Sequence, residues 1–141
     1  MESDFIGYEN VSKSYAELSN LMVKSSWTNA LSDVFGVYVL TDSNTGKLYI
    51  GSATGENGLY GRWKTYLEKG YDKSEEQDSK YPNKQLRELV EKKGVEYIKN
   101  YFTYTILEIF PKNEIGKNKA LQREGYWKEA LKTRTHGYNC N

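Results

Sequence analysis

The sequence predicts an α+β fold: a small antiparallel or mixed sheet of three strands, a β-hairpin plus one later strand, covered by helices. Two short runs rich in β-branched and aromatic residues, 35–41 and 47–52, flank a turn-forming Asp-Ser-Asn-Thr-Gly. A third such run, 100–110, ends at Pro111. Around these runs, apolar residues recur at spacings of three and four, the period of a half-buried helix. A length of 141 residues suits one compact domain, read as an N-terminal helical extension (1–34) and a main body (35–141).

Taken in order, residues 15–23 place Tyr15, Leu18 and Met22 on one helical face. Ser14 stands ready to cap it, with Glu17 three residues on. A second short helical piece is expected over 28–33. In the hairpin, pairing Thr41 with Gly46 leaves a four-residue loop and sets Tyr38 directly opposite Tyr49, on one face of the sheet. Residues 53–61 form a glycine-spaced loop, and a helix is expected from about 59 to 69, with Arg62 and Tyr66 four apart on one face. Gly70 ends it. Residues 71–82 read as a polar, acidic loop. Asn83 is expected to cap a helix over 84–93 that stops at Gly94. In the later strand, Phe102, Tyr104, Ile106 and Glu108 are expected to alternate with Thr103, Thr105, Leu107 and Ile109. The last helix is expected over 118–132, followed by an irregular tail.

Composition excludes several classes. One cysteine, Cys140, rules out an internal disulfide, and one histidine, His136, leaves too few ligands for a usual zinc site. With neither a long apolar run nor a signal-peptide pattern, the default expectation is a soluble, cytoplasmic protein without membrane contact. The net charge of +1 hides a polarised chain. Residues 112–134 carry seven basic and three acidic side chains, whereas residues 68–78 carry five acidic and two basic ones. Tyrosine is abundant, at 13 residues; a phenol can hydrogen-bond in a core or reach a nucleic acid.

Gly36-Val37-Tyr38, Tyr49-Ile50-Gly51 ten residues later, Arg62 on the following helix, Glu124 on the last helix and Gly137-Tyr138-Asn139 in the tail stand in one order. In that order and spacing the chain resembles the GIY-YIG nucleases over about residues 35–140, with Val37 in place of the first motif's isoleucine. The resemblance implies a divalent-metal-dependent DNA endonuclease that cuts phosphodiester bonds by in-line attack of water, and suggests a compact, restriction-type enzyme. Other readings are a structure-selective repair or mobile-element nuclease, and a non-cleaving nucleic-acid-binding module of the same fold. The implied partner is DNA, with the protein a monomer or a homodimer.

The resemblance assigns catalytic roles to Tyr38, Tyr49, Arg62, Tyr66, Glu124 and Asn139. A phenol titrates near ~10, so Tyr38 would need a nearby cation to act as a general base. Tyr49 would orient water or phosphate. Arg62 would bind the scissile phosphate. Tyr66 stands where many members carry histidine, and would bond phosphate or assist proton transfer. Glu124 would be the single protein ligand of Mg²⁺ or Mn²⁺. Read by itself, Glu124 is equally a surface partner of Lys128 one turn on. Asn139 would hold the geometry by hydrogen bonds, though by itself it reads as a turn residue. Lys47, Ser52, Asn57, Tyr60 and Lys128 are further candidates for DNA contact. Trp63 and Trp127 read as core residues.

Overall fold

The structure is a computed structural model and describes residues 4–71 and 83–140. Most of the expected acidic loop over 71–82 therefore lies outside the described residues.

A short 3-10 turn, Tyr8–Asn10, leads into β1, Ser12–Ser14. Helices α1 (Tyr15–Leu21) and α2 (Ser25–Ser32) follow. The hairpin is β2 (Val34–Asp42) and β3 (Leu48–Ala53). Then come α3 (Gly58–Lys69), α4 (Lys84–Lys93), α5 (Val95–Tyr101), β4 (Phe102–Pro111), α6 (Glu114–Ala130) and α7 (Thr133–His136). Among the described residues the sheet has four strands, in the order β1-β4-β2-β3, with every pairing antiparallel.

The α+β class is as expected, and the strand count is corrected from three to four. The added strand, β1, is Ser-Lys-Ser, without β-forming composition. It is extended because it pairs with Thr103–Thr105 of β4. The Ser14–Glu17 capping box forms in full at the start of α1, and α3 ends on Gly70 in a left-handed conformation at φ 86°. Asn83 occupies the N-cap position of α4, but its side chain makes no capping bond. A helix not expected, α5, fills the space between Gly94 and β4. The last helix begins four residues earlier than expected, because the Asn113 side chain accepts a hydrogen bond from Gly116 N at 2.8 Å.

The hairpin register also differs. Asp42 N donates to Lys47 O at 3.0 Å, which keeps Asp42 in the ladder and moves the loop to residues 43–46. Gly46 adopts φ +82°, a left-handed loop conformation unsuited to a paired strand residue. As a result Tyr38 lies across from Gly51, and Tyr49 lies across from Leu40. The two phenols are diagonal neighbours rather than direct partners. Because the slip is even, they stay on one face. In β4 a bulge at the Val37/Tyr38 register step leaves Leu107 unpaired, so Glu108 opposes Val37 and shares its side of the sheet. This ends the simple alternation expected along that strand.

The sheet is covered on both faces. One face, with Tyr38, Leu40, Tyr49 and Tyr104, packs with Leu18, Trp27, Leu31, Leu59, Trp63 and Tyr66 of α1, α2 and α3. The other, with Phe35, Val37, Val39, Ile50 and Phe110, packs against Ala120 of α6, with Trp127 half-buried beside it. Val11, Leu18, Met22, Trp27 and Leu31 of the N-terminal segment are therefore part of the main core. Among the described residues no helix is long and apolar enough to cross a membrane.

Candidate active site

The site is built around β3. On the α3 face, Tyr38 and Tyr66 are both fully buried, and their hydroxyls meet at 2.8 Å. Tyr38 also packs edge-on against Trp63, with ring centroids 5.9 Å apart. This seating depends on Gly51. A Cβ there would fall 2.4 Å from the Tyr38 hydroxyl oxygen and 2.6 Å from its Cζ, so only a glycine lets the phenol lie against the β3 backbone. Gly36 is matched in the same way to the close approach of Leu59 on α3, whose Cδ1 would be 2.9 Å from a Cβ. The glycines of both motifs thus have a steric cause. Tyr49 is buried in the same cluster, two residues along the diagonal.

On the opposite face, Ile50 and Ser52 point toward α6 by the alternation of the strand. Ser52 Oγ donates to Glu124 Oε1 at 2.6 Å, and Lys128 Nζ lies 3.1 Å from Glu124 Oε2. Glu124 is thus held through both oxygens, in a carboxylate 18% exposed. Glu124 therefore reaches β3 from the side of the sheet opposite the tyrosines.

Arg62 lines a cleft of about 280 Å³ together with Ala53, Gly55, Glu56, Asn57, Gly58, Gly61 and Thr65. Its wall at Ala53 is the residue next to Ser52, Glu124's partner. The Arg62 cleft and Glu124 thus border adjacent residues of β3, on opposite faces of the sheet. Asn139 is buried against the outer margin of the same strand. Its Oδ1 accepts from Ile50 N at 2.8 Å, and its Nδ2 donates to Ile50 O at 2.9 Å. Tyr138 N adds a bond to Leu48 O at 2.8 Å.

The further DNA candidates separate. Lys47 is exposed, with its ammonium over the Tyr138 ring at 5.6 Å. Asn57 is exposed in the Arg62 cleft. Tyr60 lies in a groove between α1 and α3 with Tyr15, Met22 and Leu67, away from that cleft. Ser52 is buried, with its hydroxyl on Glu124. Lys128, also a candidate for DNA contact, is 6% exposed, with its ammonium 3.1 Å from Glu124 Oε2.

Sequence reasoning missed Asp42. By composition it reads as a turn residue, yet it is fully buried. Its Oδ2 accepts from Tyr97 Oη at 2.7 Å and Tyr138 Oη at 2.6 Å, and its Oδ1 from Asn44 N at 3.0 Å. Burial and the neighbouring Asp42 carboxylate both push the Tyr138 phenol above its ordinary pKa. Burial also raises Tyr97 and Tyr104.

Among the described residues no cluster of three or more His, Cys, Asp or Glu side chains could hold a metal. A one-carboxylate site does fit. Each oxygen of Glu124 has one donor in the contacts above, and a carboxylate offers about four lone-pair positions in all. Mg²⁺ commonly keeps most of its waters and takes one or two carboxylates.

Two buried tyrosines, an arginine-lined cleft and a half-buried glutamate thus lie around one strand. The family profile described as the GIY-YIG catalytic domain matches residues 34–139, and the chain belongs to that family. Among solved structures it is similar to the catalytic domain of the intron endonuclease I-TevI in a mutant form: 27% identity, TM-score 0.53, 77% of this chain and 94% of that one. A second structure, of the catalytic domain of the homing endonuclease I-TevI, gives 26% identity, TM-score 0.49, and 74% and 95% coverage. No curated protein matches at a significant level.

Proposed function

We propose that this chain is a DNA endonuclease that hydrolyses phosphodiester bonds by in-line attack of water, with one divalent cation at Glu124. The observation that carries the reading is the meeting of the Arg62 cleft and the Ser52-bound Glu124 at adjacent residues of β3. A phosphate seated there would meet a guanidinium from one face and a carboxylate-held cation from the other. Arg62 binds the scissile phosphate and stabilises the charge that grows as water attacks. In this reading Tyr38 accepts the water's proton, and Tyr66, hydrogen-bonded to it, takes the place of the more usual histidine as its proton partner. Tyr49 orients water or phosphate. Asn139, with both amide groups on Ile50, fixes the strand on which Tyr49 and Gly51 stand. A bound Mg²⁺ or Mn²⁺ supplies Lewis-acid stabilisation of the phosphate and leaving oxygen.

The exposed polar residues of the cleft, Glu56 and Asn57, are the described groups best placed for contacts beyond the phosphate. Restriction, repair and mobile-element roles share this chemistry and differ in which DNA is cut, so mapping the cut ends separates them. The primary test incubates supercoiled plasmid with Mg²⁺ or EDTA, using wild type and Glu124→Ala. Cleavage is expected for wild type with metal alone. Equal cleavage by the variant, or none by wild type with Mg²⁺ or Mn²⁺, overturns the reading.

A further inference from the structure

Asp42 lies at the hairpin tip, where its buried carboxylate gathers two phenols from different parts of the fold: Tyr97 of α5 and Tyr138 of the tail. Burying a carboxylate is costly unless it is hydrogen-bonded, and this one accepts three hydrogen bonds. Its backbone closes the hairpin as well: Asp42 O accepts from Gly46 N at 2.7 Å. The two phenols differ in what they lead to. Tyr97 leads to Asn44 in the hairpin loop, whose Nδ2 donates to the Tyr97 hydroxyl at 3.3 Å. Tyr138 is stacked on Phe102 and directly precedes Asn139, whose amide grips Ile50 between Tyr49 and Gly51.

We infer that Asp42 is a positioning residue for the nuclease reaction: through the Tyr138 hydroxyl it anchors the tail, so that Asn139 holds β3 in register beneath the catalytic phenols. The inference rests on the nuclease reading for its consequence and on the hydrogen bonds for its mechanism. A carboxylate suits the task because it acts as acceptor only, which fixes both phenols as donors. Tyr138, kept protonated by its surroundings, remains such a donor.

Two near-isosteric variants separate this role from general stabilisation. Tyr138→Phe and Tyr97→Phe each remove one hydroxyl from the same carboxylate, but only Tyr138 leads to Asn139. In single-turnover cleavage of plasmid by the full chain with Mg²⁺, Tyr138→Phe should lower the rate at saturating enzyme by roughly tenfold or more, because misplacing a reacting group by a fraction of an ångström is costly. DNA affinity should change little. Tyr97→Phe should keep the wild-type rate even where its loss of thermal stability is similar. Asp42→Asn should behave like Tyr138→Phe. Exchange of the Ile50 amide proton gives a readout independent of activity: it should accelerate in Tyr138→Phe and not in Tyr97→Phe. Equal rates and equal Ile50 exchange in the two phenylalanine variants overturn the inference. If wild type fails to cleave, the nuclease reading fails while the exchange comparison still decides the anchoring.

Discussion

Gly51→Ala tests the seating of Tyr38 most directly. The added methyl would lie 2.4, 2.6 and 2.9 Å from the hydroxyl oxygen, Cζ and Cε1 of Tyr38. Ordinary carbon contacts begin near ~3.5 Å, so the ring must retreat by about 1 Å. It has no free space, because Trp63 and Tyr66 are fully buried around it, each ring centroid 5.9 Å away. Nor can β3 yield easily, since Asn139 grips Ile50, the residue before Gly51. Overpacking of this kind costs about 1–3 kcal/mol, and a broken Tyr38–Tyr66 bond that strands buried hydroxyls adds about 1–3 kcal/mol. The sum, about 2–6 kcal/mol, lies below the middle of the roughly 5–15 kcal/mol that holds an average domain, so the variant should still fold at room temperature. A melting temperature lower by roughly 5–15 °C is expected for a chain of this length. Cleavage, measured in single turnover at a temperature where the variant is folded, should drop about 100-fold, the scale set by a 1 Å misplacement. A variant as stable as wild type would refute the packing argument. A destabilised variant that cleaves at the wild-type rate would refute the catalytic placement of Tyr38.

Asn139→Ala removes both bonds to Ile50 and leaves buried backbone groups without them; a loss of about 2–4 kcal/mol is expected, read as a lower midpoint in chemical denaturation, and an unchanged midpoint would contradict it. Ser14→Ala opens the capping box at α1 and should cost about 1 kcal/mol by the same measurement, with cleavage intact. Tyr97, Tyr104 and Tyr138 have phenol pKa values raised on folding, chiefly by burial. Burial penalises the phenolate in the folded state, which has no consequence while the unfolded chain keeps its tyrosines protonated. Stability should therefore be unaffected by these groups below pH ~10 and decline as pH rises beyond it, where the unfolded chain ionises first. Denaturation at pH 8 and 10.5 measures this, and Tyr138→Phe should reduce the decline.

Helices α1, α3, α4 and α6 and the two strands of the hairpin could be read from the sequence because each has a local cause. Ser14 and Glu17 cap α1, Gly70 stops α3, and the runs of β2 and β3 are strongly β-forming. The parts missed have causes at a distance. Ser-Lys-Ser becomes a strand only because β4 lies beside it. The bulge at Leu107 arises where β4 pairs with β2, and no residue type marks it. The register slipped because Asp42 resembles a turn residue in composition, whereas its burial follows from Tyr97 and Tyr138, 55 and 96 positions away. The site residues were legible as an ordered set, but their arrangement was not. Strand alternation alone did not reveal that Glu124 and the tyrosines approach β3 from opposite faces, nor that Lys128 is buried beneath Glu124 rather than offered to solvent.

The tail's grip on β3 also bears on self-association. β3 is a marginal strand of the sheet, and a bare margin of unpaired amides and carbonyls templates pairing with other chains. Tyr138 N and the Asn139 side chain occupy Leu48 O and both backbone groups of Ile50. The opposite margin, β1, is three residues long and gives little to pair with. The same few tail residues that steady the catalytic strand thus act as its chaperone against aggregation. A shortened chain lacking residues 137–141 should not only lose cleavage but also begin to associate through the exposed hairpin.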